Sequence, residues 1–105
     1  MLVDLRRYTI VPGRLKAYLG VYEEFGLPVQ RRHLGDPAGY FISEVGTLNQ
    51  VVHLWTYADF EERLARRAAM EADPQWVEYK KITAQGQYIE KQENQILLSA
   101  PWSLI

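Results

Sequence analysis

Residues 51–62 read Val-Val-His-Leu-Trp-Thr-Tyr-Ala-Asp-Phe-Glu-Glu, and the change of rhythm inside this stretch decides the fold. Val51, His53, Trp55 and Tyr57 alternate with Val52, Leu54 and Thr56, the period of two that sends successive side chains to opposite faces of a strand. Neither set is polar enough to be a solvated face, so both faces of this strand are expected to be covered. Asp59 then stands where a helix N-cap belongs, with Glu62 three residues later to complete a capping box for the orphan backbone donors. Phe60, Leu64 and Ala68 supply that helix with an apolar row.

Working outward, residues 2–11 are rich in β-branched and aromatic side chains and stop at Pro12-Gly13, which predicts a first strand and a turn. Leu15, Tyr18, Leu19, Tyr22 and Phe25 recur at spacings of three and four, an amphipathic helix weakened at Gly26 and Pro28. A turn cluster at 35–39 precedes a second strand at 40–45 and a connection at 46–50. Asp73-Pro74 repeats the helix-start signal, opening a further helix that continues to about Gly86. Residues 87–99 suit one or two strands around the polar 90–95 segment, and Pro101 ends the regular structure. The order is strand, helix, strand, strand, helix, strand, two split β-α-β halves of an α+β domain. Helices then cover one sheet face, and the other needs a second cover, which predicts a homodimer.

With 105 residues, 48% apolar and 24% charged, the chain fits a single domain over residues 1–105. A formal net charge of −1 argues against a dedicated nucleic-acid binder. The absence of cysteine excludes a disulfide framework, a thiolate nucleophile and Cys-based metal or iron–sulfur sites. Asp4, Arg6 and Arg7 stand where a secretory signal needs an apolar run, and the uncharged segment 94–105 falls short of the ~20 residues that span a bilayer. A cytoplasmic protein with no membrane span is the expectation.

His53 is the candidate proton-exchanging group, with Trp55 and Tyr57 as possible pocket walls; a hydrogen-bonded core histidine reads the same way. Arg63, Arg66 and Arg67 could clamp an anion, or could pair along the helix as Glu62–Arg66 and Arg67–Glu71. Arg6 and Tyr8 share a strand face with Asp4, either lining a ligand site or forming a structural ion pair. Trp76 reads as a core anchor and His33 as surface. Two histidines twenty positions apart, without local carboxylate spacing, predict no dedicated metal site and no cofactor, although one histidine would suffice for haem. Hydrolase, phosphate-loop and dinucleotide signatures are absent.

Residues 8–13 (Tyr-Thr-Ile-Val-Pro-Gly), 49–55 (Asn-Gln-Val-Val-His-Leu-Trp) with Tyr57, Arg63 through Arg67, Asp73-Pro74-x-Trp76 and Asn94-x-Ile96-Leu97 occur in that order. Together they resemble the NIPSNAP family over nearly the whole chain. The resemblance implies a ferredoxin-like domain of the dimeric α+β barrel superfamily, whose members include cofactor-independent monooxygenases, haem-degrading enzymes and small-ligand binders. NIPSNAP members have no settled reaction, and the mitochondrial ones carry an N-terminal extension, so targeting is not carried over. The expected function is a homodimeric module binding a small apolar or aromatic molecule between sheet and helices, with Arg6, Tyr8, Trp55 and Arg63 as ligand contacts. Its alternatives are a cofactor-independent monooxygenase or isomerase, with His53 moving a proton and Arg63 stabilising a developing anion, and a purely structural dimerisation domain.

Overall fold

The computed structural model describes residues 1–105. Strand β1 (Leu2–Ile10) leads into one continuous helical segment made of α1 (Leu15–Val21), a π-helical turn (Tyr22–Gly26) and α2 (Leu27–Leu34). Strands β2 (Gly39–Ile42) and β3 (Gln50–Tyr57) form a hairpin; α3 (Phe60–Glu71) and α4 (Pro74–Gly86) follow, and β4 (Ile89–Leu98) closes the chain. The sheet order is β2-β3-β1-β4 with every pairing antiparallel, the ferredoxin-like arrangement. No helix is long and apolar enough to cross a membrane.

Strand parity sorts the sheet into two faces. Leu2, Asp4, Arg6 and Tyr8 of β1 pair in register with Tyr57, Trp55, His53 and Val51 of β3, Ile10 pairs with Ile89 of β4, and this face lies beneath the helices. There they meet Tyr18, Tyr22, Val29, Met70, Trp76 and Tyr79, which with Leu2, Ile10, Val51, Trp55 and Tyr57 make one core. The opposite face carries Leu5, Val52, Leu54, Phe41 and Leu97, none of them covered by a helix, with Phe41 57% exposed. The polar 90–95 segment does not split the last strand: β4 is single and continuous.

Three expectations are corrected. The first helix does not end at Gly26 and Pro28 but runs on to Leu34. Proline lacks an N–H and its ring crowds the carbonyl four residues back, so the wider π turn just before it, closed by Leu27 N–H on Tyr22 O, lets the helix pass. The second strand stops at Ile42 rather than at residue 45. In α3 the apolar row faces outward: Phe60 is 62% and Leu64 70% exposed, while Arg63, Arg66, Arg67 and Met70 turn toward the body of the domain. Charge pairing described below outweighs the burial of two apolar side chains.

The helix starts hold as read. Asp59 accepts from Glu62 N at 2.8 Å, and the Glu62 carboxylate accepts in return from Ala58 N. Asp73 accepts from Gln75 N at 2.9 Å, with Pro74 at the first helical position. Arg66 pairs with Glu62 at 2.6 Å, whereas Glu71 pairs with Lys80 on α4 rather than with Arg67.

Gly26 is where the helical layer closes most tightly. A Cβ there would sit 2.8 Å from the Tyr79 ring and 2.9 Å from Tyr22. Both rings are buried, so neither can swing away into solvent. Gly26→Ala is therefore expected to cost about 1–3 kcal/mol, read as a lower urea midpoint at unchanged slope.

Candidate functional site

Between α4 and β4 a cavity of about 560 Å³ opens and runs inward to the sheet. Thr83, Ala84 and Gln87 stand at its mouth on the helix side, Ile89 to Gln92 on the strand side. Its depth is aromatic: Tyr8, Tyr18, Tyr22, Tyr40, His53, Trp76 and Tyr79 wall it, with Gln30 from α2. Lys80 and Lys91 lie at the rim, where Glu71 and Glu93 pair with them at 3.5 and 3.7 Å.

His53 sits mid-strand in β3, with Arg6 and Tyr40 directly across from it on the two neighbouring strands. Its ring stacks on Tyr40 (4.6 Å between centroids, 9° between planes) and takes the edge of Tyr8 at 4.9 Å. The Trp55 Nε1–H donates to His53 Nδ1 at 2.6 Å. An indole nitrogen can only donate, so Nδ1 is the acceptor and the imidazole proton resides on Nε2. Nε2 is buried and has no partner. Burial, with Arg6 and then Arg67 adding to it against the opposing pull of Asp4, holds the imidazole pKa down to about 3. His53 is thus a neutral hydrogen-bond donor.

The surrounding phenols are uncharged as well. Burial pushes Tyr18, Tyr22, Tyr40 and Tyr79 above the ordinary tyrosine range. The Tyr22 hydroxyl donates to Gln30 Oε1, while Tyr40 Oη and Trp76 Nε1 are buried without partners. Tyr8 Oη accepts from Arg6 Nε at 3.0 Å, which keeps its own proton free to donate.

Asp4 explains where the arginines go. Its side chain is fully buried on β1, and its Oδ2 receives Arg6 Nη1 at 3.2 Å and Arg63 Nε at 3.1 Å. Asn94 Nδ2 approaches Oδ1 at 3.5 Å. An uncompensated buried carboxylate is strongly unfavourable, so two guanidinium groups from β1 and α3 converge on it. Of the residues singled out in the sequence, Tyr8, His53 and Trp76, the last read there only as a core anchor, line the cavity. Arg6, Trp55 and Arg63 do not: the arginines are engaged by Asp4, and the Trp55 indole is engaged by His53.

His33 is not free surface. Its Nε2 lies 2.8 Å from Asp73 Oδ2, which also receives Arg32 at 2.9 Å, tying the end of α2 to the start of α4. The His33 bond, then the Gln75 backbone and Arg32, hold the Asp73 carboxyl down to about 2. Nowhere do three His, Asp or Glu side chains gather in a metal-binding group.

The cavity-lining roles of Tyr18, Tyr22, Gln30, Tyr40 and Tyr79 were not read from the sequence. Their signal is the count: seven tyrosines in 105 residues, of which five line one cavity. Tyr18 and Tyr22, four apart, share a helix face, as do Trp76 and Tyr79, three apart.

The NIPSNAP family profile matches residues 3–104. The chain belongs to the NIPSNAP family. It is 39% identical over 75 residues to a NipSnap homolog of Dictyostelium discoideum, covering 71% of this chain and 33% of that protein. With NipSnap homolog 3B of Mus musculus it shares 32% over 104 residues, 97% of this chain and 40% of the relative. The chain thus spans between a third and two-fifths of these relatives. Among solved structures, a protein of Agrobacterium tumefaciens superposes with a TM-score of 0.94 at 37% identity, covering 100% of this chain and 99% of that one. A NIPSNAP domain protein of Burkholderia xenovorans, itself uncharacterised, superposes at 0.92 with 34% identity and 98% of each chain covered. A Nitrosomonas europaea protein carrying the name of an antibiotic biosynthesis monooxygenase superposes at 0.63 with 10% identity, covering 94% of this chain and 98% of that one, a likeness of fold alone.

The buried neutral His53 predicts an acid-dependent loss of stability in this NIPSNAP domain. Its folded pKa near 3 lies below the ordinary value of 6.5, so the unfolded chain binds the proton first. Its contribution is complete above about pH 6.5 and declines as pH falls toward 3. Urea unfolding between pH 6.5 and 5, above most carboxylate titration, should show an extra slope approaching 1.4 kcal/mol per pH unit at the acid end, and His53→Gln should remove it.

Proposed function

We propose that this NIPSNAP domain is a homodimeric module that binds one small, largely apolar or aromatic molecule per chain in the cavity between sheet and helices. The carrying observation is the cavity itself: about 560 Å³, walled by five tyrosines, Trp76 and His53, and open between α4 and β4. A space of this size and lining matches the concave, mainly apolar sites that enclose small ligands. Support for the dimer comes from the uncovered sheet face, where Leu5, Val52, Leu54, Phe41 and Leu97, beside Arg7 and Glu93, form a surface that a second sheet could cover.

The alternative, a cofactor-independent monooxygenase or isomerase with His53 taking a proton, meets an obstacle in His53. The Nδ1 lone pair is engaged by Trp55, and a pKa near 3 makes the imidazole a poor base at neutral pH. Arg63, proposed there as the group stabilising a developing anion, faces Asp4 instead.

Indane, an uncharged bicyclic hydrocarbon, tests the binding reading directly. Millimolar indane should raise the melting temperature of the wild type and should fail to raise that of Thr83→Trp, which places a bulky side chain at the mouth without touching the deep aromatics. A wild type that melts identically with and without indane would move the weight to the structural dimerisation reading. For the dimer, sedimentation equilibrium of the wild type should give twice the chain mass, and Leu54→Lys should reduce it to the single-chain mass. A wild type at single-chain mass would remove the dimer from the proposal.

A further inference from the structure

We infer that the cavity selects uncharged ligands that carry hydrogen-bond acceptors, such as ketone or ether oxygens on a flat apolar body, over pure hydrocarbons and over anions. This deepens the binding reading above and rests on it. Three buried polar atoms belonging to residues that line the cavity have no partner within the protein: His53 Nε2, Tyr40 Oη and Trp76 Nε1. Two of them can only donate. An indole nitrogen carries no accessible lone pair, and the Trp55 bond to Nδ1 leaves the His53 proton on Nε2. Tyr40 can donate too, since burial keeps its phenol protonated.

Meanwhile two of the wall's acceptors are engaged. Gln30 Oε1 receives Tyr22, and Tyr8 Oη receives Arg6. The His53 and Trp76 N–H groups can be satisfied only by an acceptor, and a buried donor left without a partner is costly enough that such groups are rare in folded proteins. A ligand that accepts relieves this cost; one that only donates does not.

The donors are spread along one continuous aromatic surface. From His53 the rings touch in series to Tyr40, Tyr22, Tyr79 and Trp76, at centroid separations of 4.6, 5.0, 6.2 and 5.0 Å. A flat molecule can lie against this surface and present acceptor atoms at its edges. Negative charge is disfavoured there. No lysine or arginine lines the depth, the two rim lysines are already paired with glutamates, and the phenols and imidazole are neutral. An anion would lose its hydration without meeting a cation.

The experiment compares three ligands of one shape: indane, 1-indanone, which adds a carbonyl, and indane-1-carboxylate, which adds a charge. Calorimetric titration of the full chain should give 1-indanone an affinity about tenfold or more above indane, with the carboxylate weaker than 1-indanone by a similar factor. In ¹⁵N spectra the Trp76 indole N–H should move downfield with 1-indanone and not with indane, while the Trp55 resonance, already bonded to His53, stays in place. Tyr40→Phe deletes one donor at nearly constant shape and should lower the ratio of 1-indanone to indane affinity; an unchanged ratio would count against Tyr40 as a donor. Equal affinities for indane and 1-indanone would overturn the inference and leave the binding reading standing, as would tightest binding of the carboxylate. Binding of none of the three up to their solubility limits would overturn both.

Discussion

A carboxylate sealed from water at the third position of the first strand organises much of this domain. Asp4 is fully buried, and a charge in that position is tolerated only with positive partners at hydrogen-bond distance. Arg6 comes from the same strand, so it constrains nothing distant. Arg63 comes from α3, and reaching Oδ2 at 3.1 Å sets the rotation of the whole helix about its axis. The outward display of Leu64 follows from that rotation, because a residue one position on is turned by about 100° from Arg63. The ion pair thus sets the orientation of α3 against the apolar pattern of its own sequence.

A second line of constraint runs along β3. Trp55 and His53 share the inner face, and the indole N–H finds its acceptor two residues away on the same strand. That local bond selects the imidazole tautomer and turns the other nitrogen into a donor on the cavity wall. Tyr40 stacks on the imidazole from the β2 side and Tyr8 meets it edge-on from β1, so three neighbouring strands hold the ring in one orientation. The site is built on the most regular part of the molecule, the sheet, and closed by helices that supply the remaining aromatic rings. Such a construction favours a pre-formed cavity over one that forms around its ligand.

Much of this architecture was legible in residues 51–62, where a period of two gives way to a capped helix. Element order, the two N-caps and the uncovered sheet face follow from local chemistry, which is why they could be read. The His53 environment was half legible: strand parity put it on a face with Trp55 and Tyr57, but parity does not say what a face meets. The rotation of α3 was illegible for a different reason. An apolar row normally marks the inward side, and only the depth of Asp4, a tertiary fact, reverses that rule here. The tyrosine wall was missed because its members come from β1, α1, the π turn, β2 and α4, and no spacing in the sequence links them.

The π turn at Tyr22–Gly26 has a consequence in helical phase. In an uninterrupted α-helix, residues eight apart are rotated by about 80° from one another, so Tyr22 and Gln30 would point to different quarters of the cylinder. The wide turn absorbs one extra residue and brings the second half back by about 100°, which leaves the two side chains nearly in line and lets the Tyr22 hydroxyl reach Gln30 Oε1. The helix therefore behaves as two screws joined out of step, with the offset matched to the cavity. Loss of one residue between 22 and 26 would restore a regular α-helix and keep that alignment, since residues seven apart also return to within about 20° of one another; the wide turn lets the chain carry one more residue without moving Gln30 off the aromatic wall.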